Sequence, residues 1–286
     1  MIGTLNIKEQ QLEKGFFTTG SGKEVILIMG SCRVAPYINY LDLWNRTIGE
    51  NRFTIHSVDP FNWNWLADGS WTDIKAAINA CETDKRILDM LASVDIFLHE
   101  YYRNFGMFNI FKGDGEKNIY DYGMKPKIDV MIPSFNDIFI LFNDFYVLDK
   151  DVKSSVDYDY KSVDGLMPST KAYIQEKGLS NFDKFCEICL KSDLPEMRDY
   201  IVSELKNKRF FWNFNHVSKH FTLAAMMLIN GKFLKLNMPQ EYLDEISKTD
   251  MFENPHTPLC EYDVEIYGFN WGEQVVNFKE YNKIGV

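Results

Sequence analysis

The sequence predicts an α/β fold: an open, mostly parallel sheet flanked by helices, with a helical insertion or subdomain in the second half. Three observations carry that prediction. Short apolar, β-prone runs alternate with helix-period segments through the first half of the chain. Each run stops at a polar or turn residue, and from about residue 150 the strand signals give way to successive helical periods.

The elements follow in order. Residues 24–29, EVILIM, form an apolar run that stops at Gly30, and a helix is expected from about Ala35 to Trp44. Phe53–Val58 alternates as a second strand, and the loop FNWNWLADGSW then leads to a helix from near Thr72. That helix sets Ile74, Ala77, Ile78, Cys81, Leu88 and Leu91 on one face, which makes Cys81 a core residue. Val94–Leu98 reads as a third strand ending at His99 and Glu100, and Ile128–Ile132 as a fourth ending at Pro133 and Ser134. Between them runs a loop of roughly 27 residues, Tyr101 to Lys127, a length usually tied to function or motion. Helical periods follow at 168–177, 181–191 and 194–207. RFFWNFNH then precedes a helix over Val217–Leu228, and residues 260–267 are expected to add a last strand. The implied organisation is a core over 1–149, a helical insertion or subdomain over 150–210, and a return to the core over 211–286.

With 286 residues, 45% of them hydrophobic, the chain can bury a sizeable core as one large or two modest domains. A formal charge of −10 repels a phosphate backbone except at a local basic patch, so nucleic acid is not an expected partner. The first residues, MIGTLNIKEQQLEKG, lack the apolar run of about 7–15 residues that a signal peptide needs. No later stretch approaches the ~18 uninterrupted apolar residues of a membrane span, so the expected location is the cytoplasm. Five scattered cysteines, Cys32, Cys81, Cys186, Cys189 and Cys260, read as reduced thiols rather than a disulfide framework. Oligomeric state is left open by these observations.

In an open α/β sheet, ligands gather beyond the carboxyl ends of the strands. The candidate strand ends are Gly30-Ser31-Cys32-Arg33, Asp59, His99-Glu100 and Ser134. Gly30 permits a sharp turn, and Cys32 then falls near a helix N-terminus beside Arg33, where the dipole and the positive charge both favour a thiolate. Cys32 would be a competent nucleophile, against the plainer reading of a cysteine that packs the turn. The segment WNFNHVSKHF gathers Asn215, His216 and His220 at an expected helix start, and a histidine there could serve the thiol as general base. His216 and His220, four apart, would share a helical face, but no third ligand stands at standard spacing and no metal is expected. Cys186 and Cys189 lie on the apolar face of NFDKFCEICLKSDL and read as core. His99, Glu100 and Asp59 could orient a base or contact a hydroxyl, or simply cap their strands. Trp63, Trp65 and Trp71 suit sugar stacking, although burial is the commoner fate of tryptophan.

Taken together, GSCRV after the first strand, VDIFLHEYY at the third, IPSF at the fourth and FNH before a helix resemble the WcbI-type polysaccharide biosynthesis proteins. Those pair a strand-one GNC-like turn with a downstream histidine. Ser31 stands where that family often has Asn, and Val217 where it commonly has Pro. The layout is more distantly similar to the SGNH hydrolases, with Cys32 in place of their serine.

The resemblance implies an acetyltransferase acting on a sugar or glycan hydroxyl, with coenzyme A or acetyl coenzyme A as ligand or donor and Cys32 and His216 as the catalytic pair. The oxyanion would be held by amides around Ser31 to Arg33, helped by Asn215 or Ser134. Gly30, Arg33, Arg103 and Lys112, with Lys117, Lys125 and Lys127, would face the donor's phosphates. Two other readings stand beside it: an esterase or deacetylase using the same residues with water as acceptor, and a non-catalytic carbohydrate-binding or interaction protein.

Overall fold

The computed structural model describes residues 16–30, 32–58, 85–100, 119–133, 170–213, 216–248, 250–251 and 259–276. Its strands are β1 (Phe16–Thr19), β2 (Glu24–Met29), β3 (Phe53–Val58), β4 (Ile96–Glu100), β5 (Ile128–Ile132), β6 (Phe211–Asn213), β7 (His216–Val217), β8 (Leu259–Cys260) and β9 (Val275–Val276). The α-helices are α1 (Ala35–Thr47), α2 (Lys85–Ser93), α3 (Thr170–Lys191), α4 (Glu196–Glu204), α5 (Lys219–Ile229), α6 (Gln240–Ser247) and α7 (Glu261–Tyr267). The chain forms two units, Met1–Ser134 with Met226–Ile246 and Phe135–Ala225 with Ser247–Val286.

The first unit is built on a five-stranded sheet of order β1-β3-β2-β4-β5, a mixed α/β arrangement that is mostly parallel as the sequence predicts. β2 sits at its centre because EVILIM is apolar on both faces, the pattern of a strand covered from both sides. Ile26 lies between Ile55 of β3 and Ile96 of β4, all three buried. The chain leaves β2 outward to β3 and then returns across β2 to β4. The order therefore reverses between β2 and β4, the position where open α/β sheets leave a crevice beyond the strand ends.

Cys32–Val34 form a single 3-10 turn that runs straight into α1, whose start is preset by Pro36 in its first turn. Tyr37, Ile38, Leu41 and Trp44 form the helix's buried stripe, and Trp44 packs on Phe53 with ring centroids 5.5 Å apart. Asn45, fully buried, accepts from the Phe53 N–H at 2.8 Å and donates to the Phe53 carbonyl at 2.9 Å, tying α1 to the start of β3. After a π-helical turn over Asn230–Leu234, Lys235 takes a left-handed conformation at φ 53°, held by the Asn230 side chain bridging both backbone groups of Leu236. The Asn237 carbonyl then accepts from the Trp44 indole at 2.7 Å, and the Tyr242 hydroxyl of α6 donates to the Tyr40 carbonyl at 2.6 Å. These bonds seat α6 against α1.

The second unit packs α3 and α4 with an antiparallel hairpin, β6 and β7, and the start of α5. Phe185, Phe210 and Phe221 are fully buried, and Phe185 meets Phe211 edge-on at 5.7 Å. A two-residue parallel pairing joins β8 to β9.

Several expectations are corrected. β1 pairs antiparallel with β3 and carries no signal strong enough to be foreseen. The third strand is shifted to Ile96–Glu100, so His99 and Glu100 belong to it rather than follow it. The periods at 168–177 and 181–191 fuse into the single helix α3, which runs through Gly178, and the third contracts to Glu196–Glu204. Residues 261–267 are a helix instead of a strand: Glu261 and Asp263 in its first turn favour a helix N-terminus over the β-prone alternation of EYDVEIY. Of the helix expected from Thr72, only α2 lies within the described residues; Leu91 is buried there, and Cys81 lies outside them.

Candidate functional site

Gly30 ends β2, and its place is enforced by crowding. A side-chain carbon added there would lie 2.3 Å from Cγ1 of Val34 and 2.8 Å from a carboxylate oxygen of Glu100. Only glycine lets the backbone turn so closely over β4. The backbone of Cys32 then opens the 3-10 turn at the head of α1.

Arg33, the next residue, points into the protein. Its side chain is 3% exposed and that of Glu100 4%; Nε donates to Glu100 Oε1 at 2.8 Å and Nη2 to Oε2 at 3.5 Å. Arg33 and Glu100 are 67 residues apart, and their pairing ties the turn after β2 to the end of β4, across the point where the strand order reverses. The guanidinium charge is thereby compensated before any ligand arrives. Tyr37, four residues after Arg33, belongs to the same group. Burial pushes its phenol well above the ordinary value, the phenol of Tyr40 and the carboxylate of Glu100 add to that, and Arg33 opposes it. Sequence reading missed Tyr37, although its i+4 spacing from Arg33 was a usable signal.

Across β4, His99 turns to the other face, as alternation along a strand requires. Its ring stacks on Phe97 at 4.6 Å, and Nε2 lies 3.2 Å from Asp129 Oδ1. Tyr120 donates to the other oxygen of Asp129 at 2.5 Å. Burial disfavours the charged Asp129, but the hydrogen bonds from His99 and Tyr120 together outweigh it and hold the carboxyl below its usual range. Lys127 does not join a phosphate grip at the crevice. It precedes β5, at the amino ends of the strands, where its ammonium meets Asp95 at 2.7 Å.

In the second unit His216 opens β7, and Ser218 separates it from α5. The helical face expected for His216 and His220 is therefore replaced by a strand-to-helix corner. Ser218 makes that corner: its hydroxyl accepts from the His220 N–H at 3.2 Å and donates to the Arg209 carbonyl. Asp250 accepts from the Lys219 N–H at 2.8 Å, supplying the negative charge that a helix start favours. His220 lines a cleft of about 150 Å³ together with Lys208, Arg209, Trp212, Lys219, Asp250 and Trp271. Burial lowers its pKa, Lys219 and Lys208 lower it further, and Asp250 opposes them. His220 is thus held toward its neutral, proton-accepting form.

The wall of this cleft is Arg209. Its guanidinium lies over the rings of Trp271 and Trp212, at 4.5 and 5.1 Å, and forms a two-pronged pair with Glu273. Nothing local in the sequence announces that pair, whose members are 64 residues apart.

Ser31, Ser134, Asn215, Arg103, Lys112, Lys117, Asp59 and the cluster Trp63, Trp65, Trp71 lie outside the described residues, as does the side chain of Cys32. Cys186 and Cys189 sit on α3 as expected: burial pushes both thiols up, Cys189 far above any physiological range, which makes it a packing group rather than a nucleophile. Among the described residues no group of three His, Cys, Asp or Glu side chains is arranged to hold a metal, and no helix is long and apolar enough to cross a membrane.

No family profile and no curated protein matches the chain. Among solved structures it is similar to WcbI, described as a novel polysaccharide biosynthesis enzyme, in a native form without a disulfide bond between coenzyme A and a cysteine. The identity is 14%, the match covers 76% of this chain and 73% of that one, and the TM-score is 0.40. A likeness of that strength carries no argument about function.

Proposed function

We propose that the chain is an acetyltransferase of polysaccharide or glycan biosynthesis, moving an acetyl group from coenzyme A to a sugar hydroxyl in the cytoplasm. The observation that supports this reading most is the turn at Gly30–Cys32. A thiol-bearing residue is delivered from the central strand to the head of α1, beside the point where the sheet reverses its order. Reaction class, donor and acceptor come from the motif resemblance rather than from the fold.

On this reading the Cys32 thiolate attacks the thioester carbonyl, and coenzyme A leaves as its thiol, taking up a proton. The sugar hydroxyl then attacks the acetyl-cysteine as a histidine, assigned as His216 with His220 as its competitor, accepts the hydroxyl proton. The sulfur leaves as thiolate. Amides of the Ser31–Arg33 turn would hold the developing oxyanion. The Arg33–Glu100 pair acts from behind the turn as its support, and the donor's phosphates fall to Arg103 and Lys112.

The test is turnover of acetyl coenzyme A with sugar or nucleotide-sugar acceptors. Cys32→Ser and His216→Ala are each expected to lower the rate by about a hundredfold or more, and stalled wild-type enzyme should gain the mass of one acetyl group on Cys32. Wild-type rates in both variants would remove the assignment. Acetate release with no dependence on acceptor would convert the reading to a hydrolase. Stabilisation by coenzyme A in a thermal shift is the companion measurement, because a ligand that binds only the folded state raises its melting temperature.

A further inference from the structure

The cleft of the second unit is lined by cations from two separate elements, Lys208 just after α4 and Lys219 at the first position of α5, with the His220 ring beside them. Their neighbours decide what such a cleft can bind. Arg209, whose planar fork would otherwise suit a carboxylate, is already clamped on Glu273 and stacked between two tryptophans. Asp250 accepts from the backbone amide of Lys219, and its charge also reaches the His220 ring. Lys208 is paired with Glu204 at 2.9 Å and lies over the Tyr200 ring at 5.4 Å. Among the described residues, no carboxylate is paired with the Lys219 ammonium. The cationic donors of the lining are then two ammonium groups, one of them shared with Glu204, with an imidazole beside them, point-like donors that suit a tetrahedral phosphate.

We propose that this cleft is a phosphate-binding site, in which Lys208 and Lys219 take the oxygens of a phosphate monoester and His220 contacts the same group. A space of about 150 Å³ is enough to admit a phosphate group. Trp271 and Trp212 supply the aromatic part of the lining, with the Arg209 guanidinium over their rings. The site does not depend on the acetyl-transfer reading, since none of its groups is assigned a step there except His220 as the alternative base. Free phosphorylated metabolites and the phosphates of coenzyme A share the required chemistry.

An arriving dianion adds negative charge beside an imidazole now faced by Lys208, Arg209, Lys219, Asp250 and Glu273, and so favours its protonated form. The experiment is titration of the full-length protein with inorganic phosphate, followed at the His220 imidazole resonance by NMR. A saturable shift with an upward move of the His220 titration midpoint is expected, and its absence overturns the proposal. Lys219→Ala is expected to weaken phosphate binding at least about tenfold, while Lys219→Arg retains it. Equal affinity in wild type and Lys219→Ala overturns the site, and Lys208→Ala provides the same reading should the first variant not fold. Acetate binding as tightly as phosphate also overturns it. Coenzyme A competing with phosphate identifies the donor as the source, and phosphate binding unaffected by coenzyme A identifies a separate phosphorylated ligand.

Discussion

Glu100 and Arg33 are the residues on which the candidate turn depends most. A buried pair adds little net stability when intact, because desolvation offsets the attraction, yet breaking it strands a charge. Glu100→Ala is therefore expected to cost about 3–5 kcal/mol in urea unfolding, whereas Arg33→Met with Glu100→Leu together should recover most of that loss. A single-variant cost no larger than that of an exposed pair would contradict the burial. Gly30→Ala tests the same place sterically. Its new carbon meets Val34 at 2.3 Å and Glu100 at 2.8 Å, so an expected loss of about 1–3 kcal/mol comes with a displaced Cys32 turn. The variant should lose activity beyond what its residual stability explains. At this scale the sequence exposed Cys32, Arg33 and Glu100 separately as strand-end residues, but gave no sign that the last two are partners.

Elements were legible where period and punctuation agreed. EVILIM followed by Gly30 reads as a buried strand and a turn with a helix after it, and that is how β2 and α1 fold. They were misjudged where two signals competed. WNFNHVSKHF suggests a helix start, yet the hairpin β6–β7 takes His216 and leaves the capping to Ser218. Ser218→Ala removes both the acceptor for the His220 N–H and the donor to Arg209, and should cost about 1–2 kcal/mol of stability in denaturant unfolding. An unchanged midpoint would mean that α5 is held by its packing alone. Similarly, α3 continues through Gly178 because a single helix-weakening residue costs only about 1 kcal/mol, a loss that burial of Phe185, Ile188 and Cys189 on the same helix can offset.

For the molecule as a whole, the shifted groups predict how stability depends on pH. His56 and His220 both titrate below the ordinary histidine value, chiefly because burial disfavours their charged forms. Below about pH 6.5 the unfolded chain binds protons that the folded one refuses, so stability falls as pH drops from there toward the folded values. Asp95, held down by Lys127 and the Val25 N–H, and Asp129 behave as depressed carboxyls. Their contribution is complete above about pH 4 and is lost as pH falls through their folded values. Two acid-side losses are thus expected in a series of urea titrations, and His56→Gln combined with His220→Gln should remove the upper one. A flat profile between pH 7.5 and pH 5 (roughly one to two units around the histidine range) would refute the histidine contribution.

The sequence by itself determined the alternation of strands and helices, the sharp bend at Gly30 and the set of polar residues that strand ends would carry, because each follows from periodicity and turn chemistry within a few neighbouring residues. Only the tertiary structure decided that β2 is central, that Arg33 turns inward to Glu100, that His99 leans on Asp129, and that Arg209 spends its fork on Glu273. Those pairings join residues far apart in the chain. Their energies come from burial and from the partner that burial supplies, and neither quantity is written in local sequence.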